Sequence, residues 1–206
     1  MIDTVLFDVG GVLTVDPWQA LLLTPGDGIA DRLGLDRDRV EAIGEELWPE
    51  YSLREREEAD YWRDFGAALG CDIPAGLVAT AERSTLRTDP AASRAVSLLV
   101  SRRISVGFIS DNTSFWFPCQ MRLLGEFVQN SASHHYLSYL LGVSKQTSGT
   151  GLYEIAAQSL DPSRTLVVDD RAHNIDRAAS AGFPTRFHAL GGDPGLFDAI
   201  AESLER

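Results

Sequence analysis

The sequence predicts an α/β fold built on a parallel sheet, and three short apolar runs carry that prediction. Val5-Leu6-Phe7, Ile104 to Ile109 and Thr165 to Val168 end in small polar or acidic residues: Asp8, Ser110 and Asp169-Asp170. A short apolar run without in–out alternation suits a strand buried on both faces. Between the runs, apolar residues recur at helical spacing, and strands alternating with helices make a parallel sheet.

In the first run, Asp8 stands where the strand ends, and Gly10-Gly11 lets the backbone turn sharply and approach a ligand closely. Ligands of open α/β sheets bind at the carboxyl ends of the strands. Aspartate before glycine is also ordinary turn chemistry, so the other strand ends decide the reading. From Asp16 to about Arg87 the chain reads as helices with short breaks. Asp36 caps a helix carrying Val40, Ile43 and Leu47, stopped near Pro49. Ser52 and Glu55 form a capping-box pattern opening a helix with Ala59, Trp62, Phe65 and Leu69 on one face, closed by Gly70. A further helix covers Leu77 to Leu86, and Trp48 and Trp62 read as packing residues.

Asp89-Pro90 opens the next helix, with aspartate as N-cap and proline at the first helical position. The second strand follows, then a helix from about Phe117 to Leu124. Gln146 to Gly151 is polar, glycine-bearing loop, and Leu152 to Leu160 is helix. After the third run come a helix with Asn174, Ala178 and then Gly182, a last strand over Thr185 to His188, and a C-terminal helix opened by Asp193-Pro194. No internal repeat or low-complexity segment interrupts this order.

Composition narrows the function classes. The chain has 206 residues, 44% of them hydrophobic, enough to bury a full core. The net charge of −12 argues against nucleic acid, which calls for a basic patch. Most of that excess lies between Val15 and Arg87, with 16 acidic and 8 basic residues. No apolar run approaches the ~18–20 residues of a membrane span, and Met1 leads straight into the first strand. Cys71 and Cys119 have no metal-ligand spacing and make no disulfide framework. A cytoplasmic protein acting on a small ligand is expected.

Asp8, Ser110 and Asp169-Asp170 therefore converge on one crevice, with Lys145 in a loop between the last two. Paired carboxylates in a dry crevice repel unless a cation intervenes, and hard oxygen ligands beside substrate phosphate suit Mg²⁺. In their order and wording these segments resemble the four motifs of the haloacid dehalogenase (HAD) superfamily: Phe7-Asp8-Val-Gly-Gly-Val-Leu-Thr14, Phe108-Ile-Ser110-Asp-Asn112, Leu141-Gly-Val-Ser-Lys145, and Asp169 to Gly182. The resemblance spans the chain. It implies a doubly wound, Rossmann-like core formed by residues 1–15 and 88–206, with a small all-helical cap inserted at 16–87 that closes over the crevice.

By the same resemblance the protein is a phosphatase for a small phosphorylated metabolite. Asp8 is the nucleophile that becomes aspartyl-phosphate. Ser110, Asp111 and Asn112 bind the phosphoryl group with Lys145, whose charge offsets that of nucleophile and phosphate. Asp8, the Gly10 carbonyl and Asp170 ligate Mg²⁺, with Asp169 beside them through water. Three carboxylates against one ammonium leave −2, which one Mg²⁺ cancels. At an effective dielectric of ~20 a charge pair ~4 Å apart is worth ~4 kcal/mol, so metal-free phosphate binding should be poor.

Two departures stand out. Phosphatases of the family carry an acid/base aspartate two residues after the nucleophile, where this chain has Gly10, leaving Thr14 and Asp16 as the nearest replacements. Relatives often follow the lysine with Pro-Asp-Pro, whereas Lys145 precedes Gln-Thr-Ser-Gly-Thr-Gly. These departures feed a second reading, a non-catalytic HAD-like module that binds a phosphorylated ligand or a protein. A third, haloacid dehalogenase, uses the same aspartate without metal and has no use for paired aspartates at the fourth motif. His134, His135 and His173 lack metal partners in sequence and are expected on the surface or facing the cap.

Overall fold

The computed structural model describes residues 1–205. Five strands, β1 (Thr4–Phe7), β2 (Ser105–Ser110), β3 (Ala132–Leu137), β4 (Thr165–Asp169) and β5 (Thr185–Phe187), form one sheet in the order β3-β2-β1-β4-β5. Every pairing is parallel. β1 is central: Thr4 to Phe7 pair residue for residue with Ser105 to Phe108 on one side and Thr165 to Val168 on the other. The chain thus leaves β1 in one direction and returns on its other flank with β4. That reversal puts a crevice beyond the carboxyl end of β1.

The helices are α1 (Pro17–Leu23), α2 (Ile29–Leu33), α3 (Arg37–Ser52), α4 (Glu58–Leu69), α5 (Ala75–Thr85), α6 (Ala92–Ser101), α7 (Trp116–Leu124), α8 (Glu126–Ser131), α9 (Ser138–Leu141), α10 (Leu152–Ser159), α11 (Ala172–Ser180) and α12 (Leu196–Glu205). None is long and apolar enough to cross a membrane. Successive side chains of a strand point to opposite faces, so Val5 and Phe7 join the core under α6, α7 and α12. Leu6 joins a second core with Val167, Leu152 and Tyr153 under α10 and α11. Covering on both faces explains why β1 is wholly buried and, after Thr4, apolar throughout.

A third core lies within α1–α5. Tyr61 sits at its centre, with ring centroids of Tyr51, Trp62, Phe65, Phe115 and Trp116 between 4.9 and 5.7 Å away. Two of those rings, Phe115 and Trp116, come from the segment after β2, so the sheet's own loop plugs the helical core. The segment departs and returns through a paired neck, where the Val15 N–H donates to the Arg87 carbonyl at 3.0 Å and the Asp89 N–H to the Leu13 carbonyl at 2.8 Å.

Several expectations need correction. β3, from Ser-His-His, was not foreseen: it is an edge strand with only Tyr136 and Leu137 buried, and so lacks an apolar run. His134, half-buried, packs on Gly107, whereas His135 is exposed as expected and lies against Phe108 and Phe117. Pro49 does not stop α3, which runs on to Ser52. Pro49 and Glu45, whose carbonyl loses its helical donor, are both exposed, so water can serve that carbonyl. Ser52 therefore ends one helix instead of capping the next, and α4 starts at Glu58. On α4 the buried face includes Tyr61, while Ala59 is exposed. Asp36 caps α3 as expected, accepting the Arg39 N–H at 2.8 Å. Asp89 accepts the Ala91 N–H at 2.7 Å, but α6 begins only at Ala92. Asp193-Pro194 is a cis peptide, and α12 begins beyond it at Leu196.

Gly107 is where the sheet is tightest: a Cβ there would lie 2.7 Å from both His134 Cβ and Leu6 Cδ2. Overpacking of this kind costs about 1–3 kcal/mol. Gly107→Ala should lower unfolding stability by that amount in urea titration. Gly76→Ala, in open space on α5, should raise it by up to about 1 kcal/mol.

Candidate functional site

Strand order brings Asp8, Ser110 and Asp169 to the same end of the sheet, with Asp8 between the other two. Lys145 reaches them from the loop after α9. Its Nζ lies 2.8 Å from Asp8 Oδ2 and 2.7 Å from Asp169 Oδ2, and the lysine is only 1% exposed. The loop is held from both ends. The Lys145 N–H donates to Asp111 Oδ1 at 2.9 Å, and Gln146 Nε2 donates to Asn174 Oδ1 at 2.9 Å. The altered sequence after Lys145 thus leaves the ammonium in place.

Each carboxylate has a different environment. Asp169 is fully buried and accepts from Lys145, the Arg171 N–H, Asn174 Nδ2 and, at 3.4 Å, the Tyr153 hydroxyl. Burial alone would raise its pKa, but Lys145 and these donors outweigh that and hold the carboxyl below its ordinary value. Asp8 accepts the Val9 N–H at 2.7 Å as well as Lys145. Burial pushes its pKa up to about 7; Lys145 opposes the rise and Asp169 adds to it. Asp170 is raised too, by burial first and then by Asp169. Lys145 is held well above its ordinary value, because the two carboxylates overcome the effect of burial.

The remaining anticipated residues divide in two. Asn112 Nδ2 donates to Gln120 Oε1 at 2.8 Å and approaches Ser110 Oγ at 3.3 Å, while Gln120 Nε2 donates to Thr14 Oγ1 at 2.7 Å. Ser110 and Asn112 are therefore braced by a buried polar chain. Asp111 lines the cleft, but its carboxylate, an acceptor, is turned to the Lys145 N–H. An anion at this position would meet main-chain donors, not that side chain. Thr14 is 1% exposed and bonded within the chain just described, whereas Asp16 lines the cleft. A Cβ on Gly10 would fall 3.3 Å from Asp16 Cα and 3.7 Å from its Cγ. Asp16 thus fills the space that a side chain at position 10 would take. His173 is exposed and stands off the cleft.

Sequence reasoning missed Gln120, Arg171 and Tyr153. Arg171 Nη2 pairs with Asp16 Oδ2 at 3.1 Å and lines the cleft. Its place directly after Asp169-Asp170 was the one available signal. Gln120, mid-helix among apolar residues, and Tyr153, in the first turn of α10, offered none.

The acidic end fits a cation. Oxygens of Asp8, Asp169 and Asp170 lie within 4.8 Å of one another. Asp170 Oδ1 is buried with no hydrogen-bond partner, a costly condition that a cation would relieve. Gly11, at φ +83°, lets Asp170 press against the main chain; a Cβ there would collide with the carboxylate. Above this floor opens a cleft of about 250 Å³, walled on the other side by Trp18, Glu41, Glu45 and Trp48 of α1 and α3.

No family model and no curated protein matches the sequence. Solved structures do match over the whole chain. A predicted HAD-like family hydrolase from Porphyromonas gingivalis superposes with TM-score 0.69 at 17% identity, covering 100% of this chain and 99% of that one. A HAD family enzyme from Bacteroides thetaiotaomicron, in complex with magnesium and inorganic phosphate, gives 0.66 at 19% identity, covering 94% and 98%. A defluorinating L-2-haloacid dehalogenase gives 0.63 at 16% identity, covering 98% and 94%. Strand order, strand-end carboxylates and whole-chain superposition agree: this chain has the fold of the HAD-like hydrolase superfamily.

Proposed function

We propose that the protein is a magnesium-dependent phosphatase that hydrolyses a small phosphorylated metabolite through an aspartyl-phosphate on Asp8. The observation that carries this reading is the buried Lys145 ammonium shared by Asp8 and Asp169, beside the unpartnered oxygen of Asp170. The similar Bacteroides enzyme with magnesium and phosphate supports it. So does the net charge of −12, which disfavours polyanionic partners. Dehalogenases share the fold, but the unsatisfied Asp170 oxygen has no use in a metal-free site.

In this reading Asp8, Asp170 and the Gly10 carbonyl hold Mg²⁺. Asp169 keeps the second rank expected of it, because its lone pairs already serve Lys145, Arg171 and Asn174. The ion supplies the positive charge that lets a phosphate dianion enter among carboxylates. An Asp8 oxygen attacks phosphorus as the bond to the leaving oxygen breaks; water then attacks the aspartyl-phosphate, freeing phosphate and restoring Asp8. Lys145 offsets charge on both partners, while Ser110 and the main chain at Asp111 hold the phosphoryl oxygens, braced by Asn112, whose donors are spent on Ser138, Ser110 and Gln120. Asp16 stands in for the missing acid at position 10. Helices α1–α5 act as a cap whose closure over the cleft excludes water.

Excess chelator should abolish phosphate release, and Asp170→Ala should do the same by removing the free ligand. Full turnover in chelator would revive the dehalogenase reading. The non-catalytic reading, favoured by Gly10, predicts phosphate binding with no release from any of a broad panel of phosphorylated metabolites.

Asp8 also makes a pH prediction for the metal-free protein. Its pKa rises from 3.8 to about 7 on folding, so between these values the folded chain holds a proton the unfolded chain has released. Stability therefore declines as pH rises through that window. Asp8→Asn removes this decline. Thermal melts in chelator should show the variant above the wild type at pH 8, with the gap closing towards pH 5, while its turnover is lost.

Asp16→Asn tests the acid. A positioned general acid contributes ~10²–10⁴-fold, most when the leaving oxygen is basic. The variant should lose far more rate on alkyl than on aryl phosphates. An unchanged alkyl-to-aryl ratio would exclude Asp16 from proton transfer.

A further inference from the structure

Residues 41, 45 and 48 of α3 fall on one helical face, and that face is turned to the cleft with Glu41, Glu45 and Trp48. The approach is permitted by Gly44, where a Cβ would lie 2.7 Å from Trp18 Cζ2. Opposite stands Trp116, 1% exposed, its ring stacked on Trp48 at 6.1 Å and 20°. Trp116 Nε1 has no hydrogen-bond partner.

The two glutamates are unpaired among the described residues, although arginines are near in sequence. Arg37 is bound to Asp31, and Arg39 donates to the Ala68 and Leu69 carbonyls. Arg54 and Arg56 are bound to Glu50. Like charges at i and i+4 repel, so the pair carries a standing cost that a cation between them would remove. The other end of the cleft is mixed: Lys145 and Arg171 stand there with Asp8, Asp16 and Asp111, each cation already paired with a carboxylate, so the lining as a whole is acidic.

From the two unpaired carboxylates beside the indole rings we infer that the substrate is a phosphomonoester whose leaving group carries an organic ammonium, held by Glu41 and Glu45 against the Trp48–Trp116 wall. This rests on the phosphatase reading above for the phosphate end alone. An ammonium over an indole face is attracted by the ring's quadrupole, and the attraction grows as water is excluded. A sugar hydroxyl can also donate to a carboxylate, but it would leave both negative charges uncompensated. A second anionic group on the substrate would be repelled.

Two isosteric pairs test the inference: phosphocholine against 3,3-dimethylbutyl phosphate, and phosphoethanolamine against propyl phosphate. Phosphate release with Mg²⁺ should favour a cationic member over its neutral partner by at least about tenfold in kcat/KM. Glu41→Gln/Glu45→Gln should shrink that ratio to within about threefold. Trp48→Leu, read in the same way, guards against misfolding of the double variant. Equal use of both members, a ratio untouched by these changes, or preference for glucose 1-phosphate overturns the inference. Calorimetric titration of Asp8→Asn with the same four esters separates the two proposals. If p-nitrophenyl phosphate and all four esters go unhydrolysed, the phosphatase reading fails. Tighter binding of the cationic members still supports the ammonium site, and equal or absent binding overturns it.

Discussion

One buried ammonium organises this molecule. Lys145 is almost wholly excluded from water and is charged only because Asp8 and Asp169 lie within 2.8 Å of it. Desolvating three charges costs several kcal/mol per ion, and the attraction repays that only at good geometry. That geometry needs β1 beside β4 with Phe7 level with Val168, and a loop fixed by Asp111 and Gln146. The register of the sheet and the course of the loop thus meet in the one contact that holds the Asp8 carboxylate. Asp8 and Asp170 remain strained towards protonation, which marks where stability has been given up for chemistry.

How much of this was legible follows from where the information sits. Val5-Leu6-Phe7 and Thr165 to Val168 declare themselves because a strand buried on both faces must be apolar throughout. The residues that end them declare themselves because catalytic side chains of parallel sheets stand at strand ends. β3 was hidden because an edge strand needs no such run, and Ser-His-His borrows its order from the β2 ladder. Pro49 misled because its cost depends on whether the orphaned carbonyl meets water, a fact of tertiary structure. Gln120 and Arg171 were invisible in their roles because a bracing contact between residues 14 and 120, or 16 and 171, leaves no local pattern.

The helical segment is tied to the sheet in two unlike ways. The neck at Val15 and Arg87 is a pair of adjacent chains joined by main-chain hydrogen bonds, with Thr14 buried in it and bonded to Gln120. Trp116, by contrast, is inserted from the sheet side into the aromatic core around Tyr61. It also follows Asn112 by only four residues, and Asn112 belongs to the polar chain beneath the phosphate end. Any movement of α1–α5 against the sheet must repack that ring, which links the placement of these helices to Asn112 through residues 112–116.

Asp16 is the carboxylate that the proposed phosphatase would use in place of an acid at position 10. It caps α1 through the Trp18 N–H at 3.0 Å and pairs with Arg171, so its position is held by two contacts independent of catalysis. Burial raises its carboxyl pKa, and Arg171 resists that rise. A Cβ at position 10 would meet Asp16 Cα at 3.3 Å, so a side chain there would lie against Asp16. Asp16 is the first residue of the segment that bears Trp18, Glu41 and Glu45. Proton transfer and leaving-group recognition would accordingly arrive together when that segment closes, and neither would be in place while the cleft stands open to water.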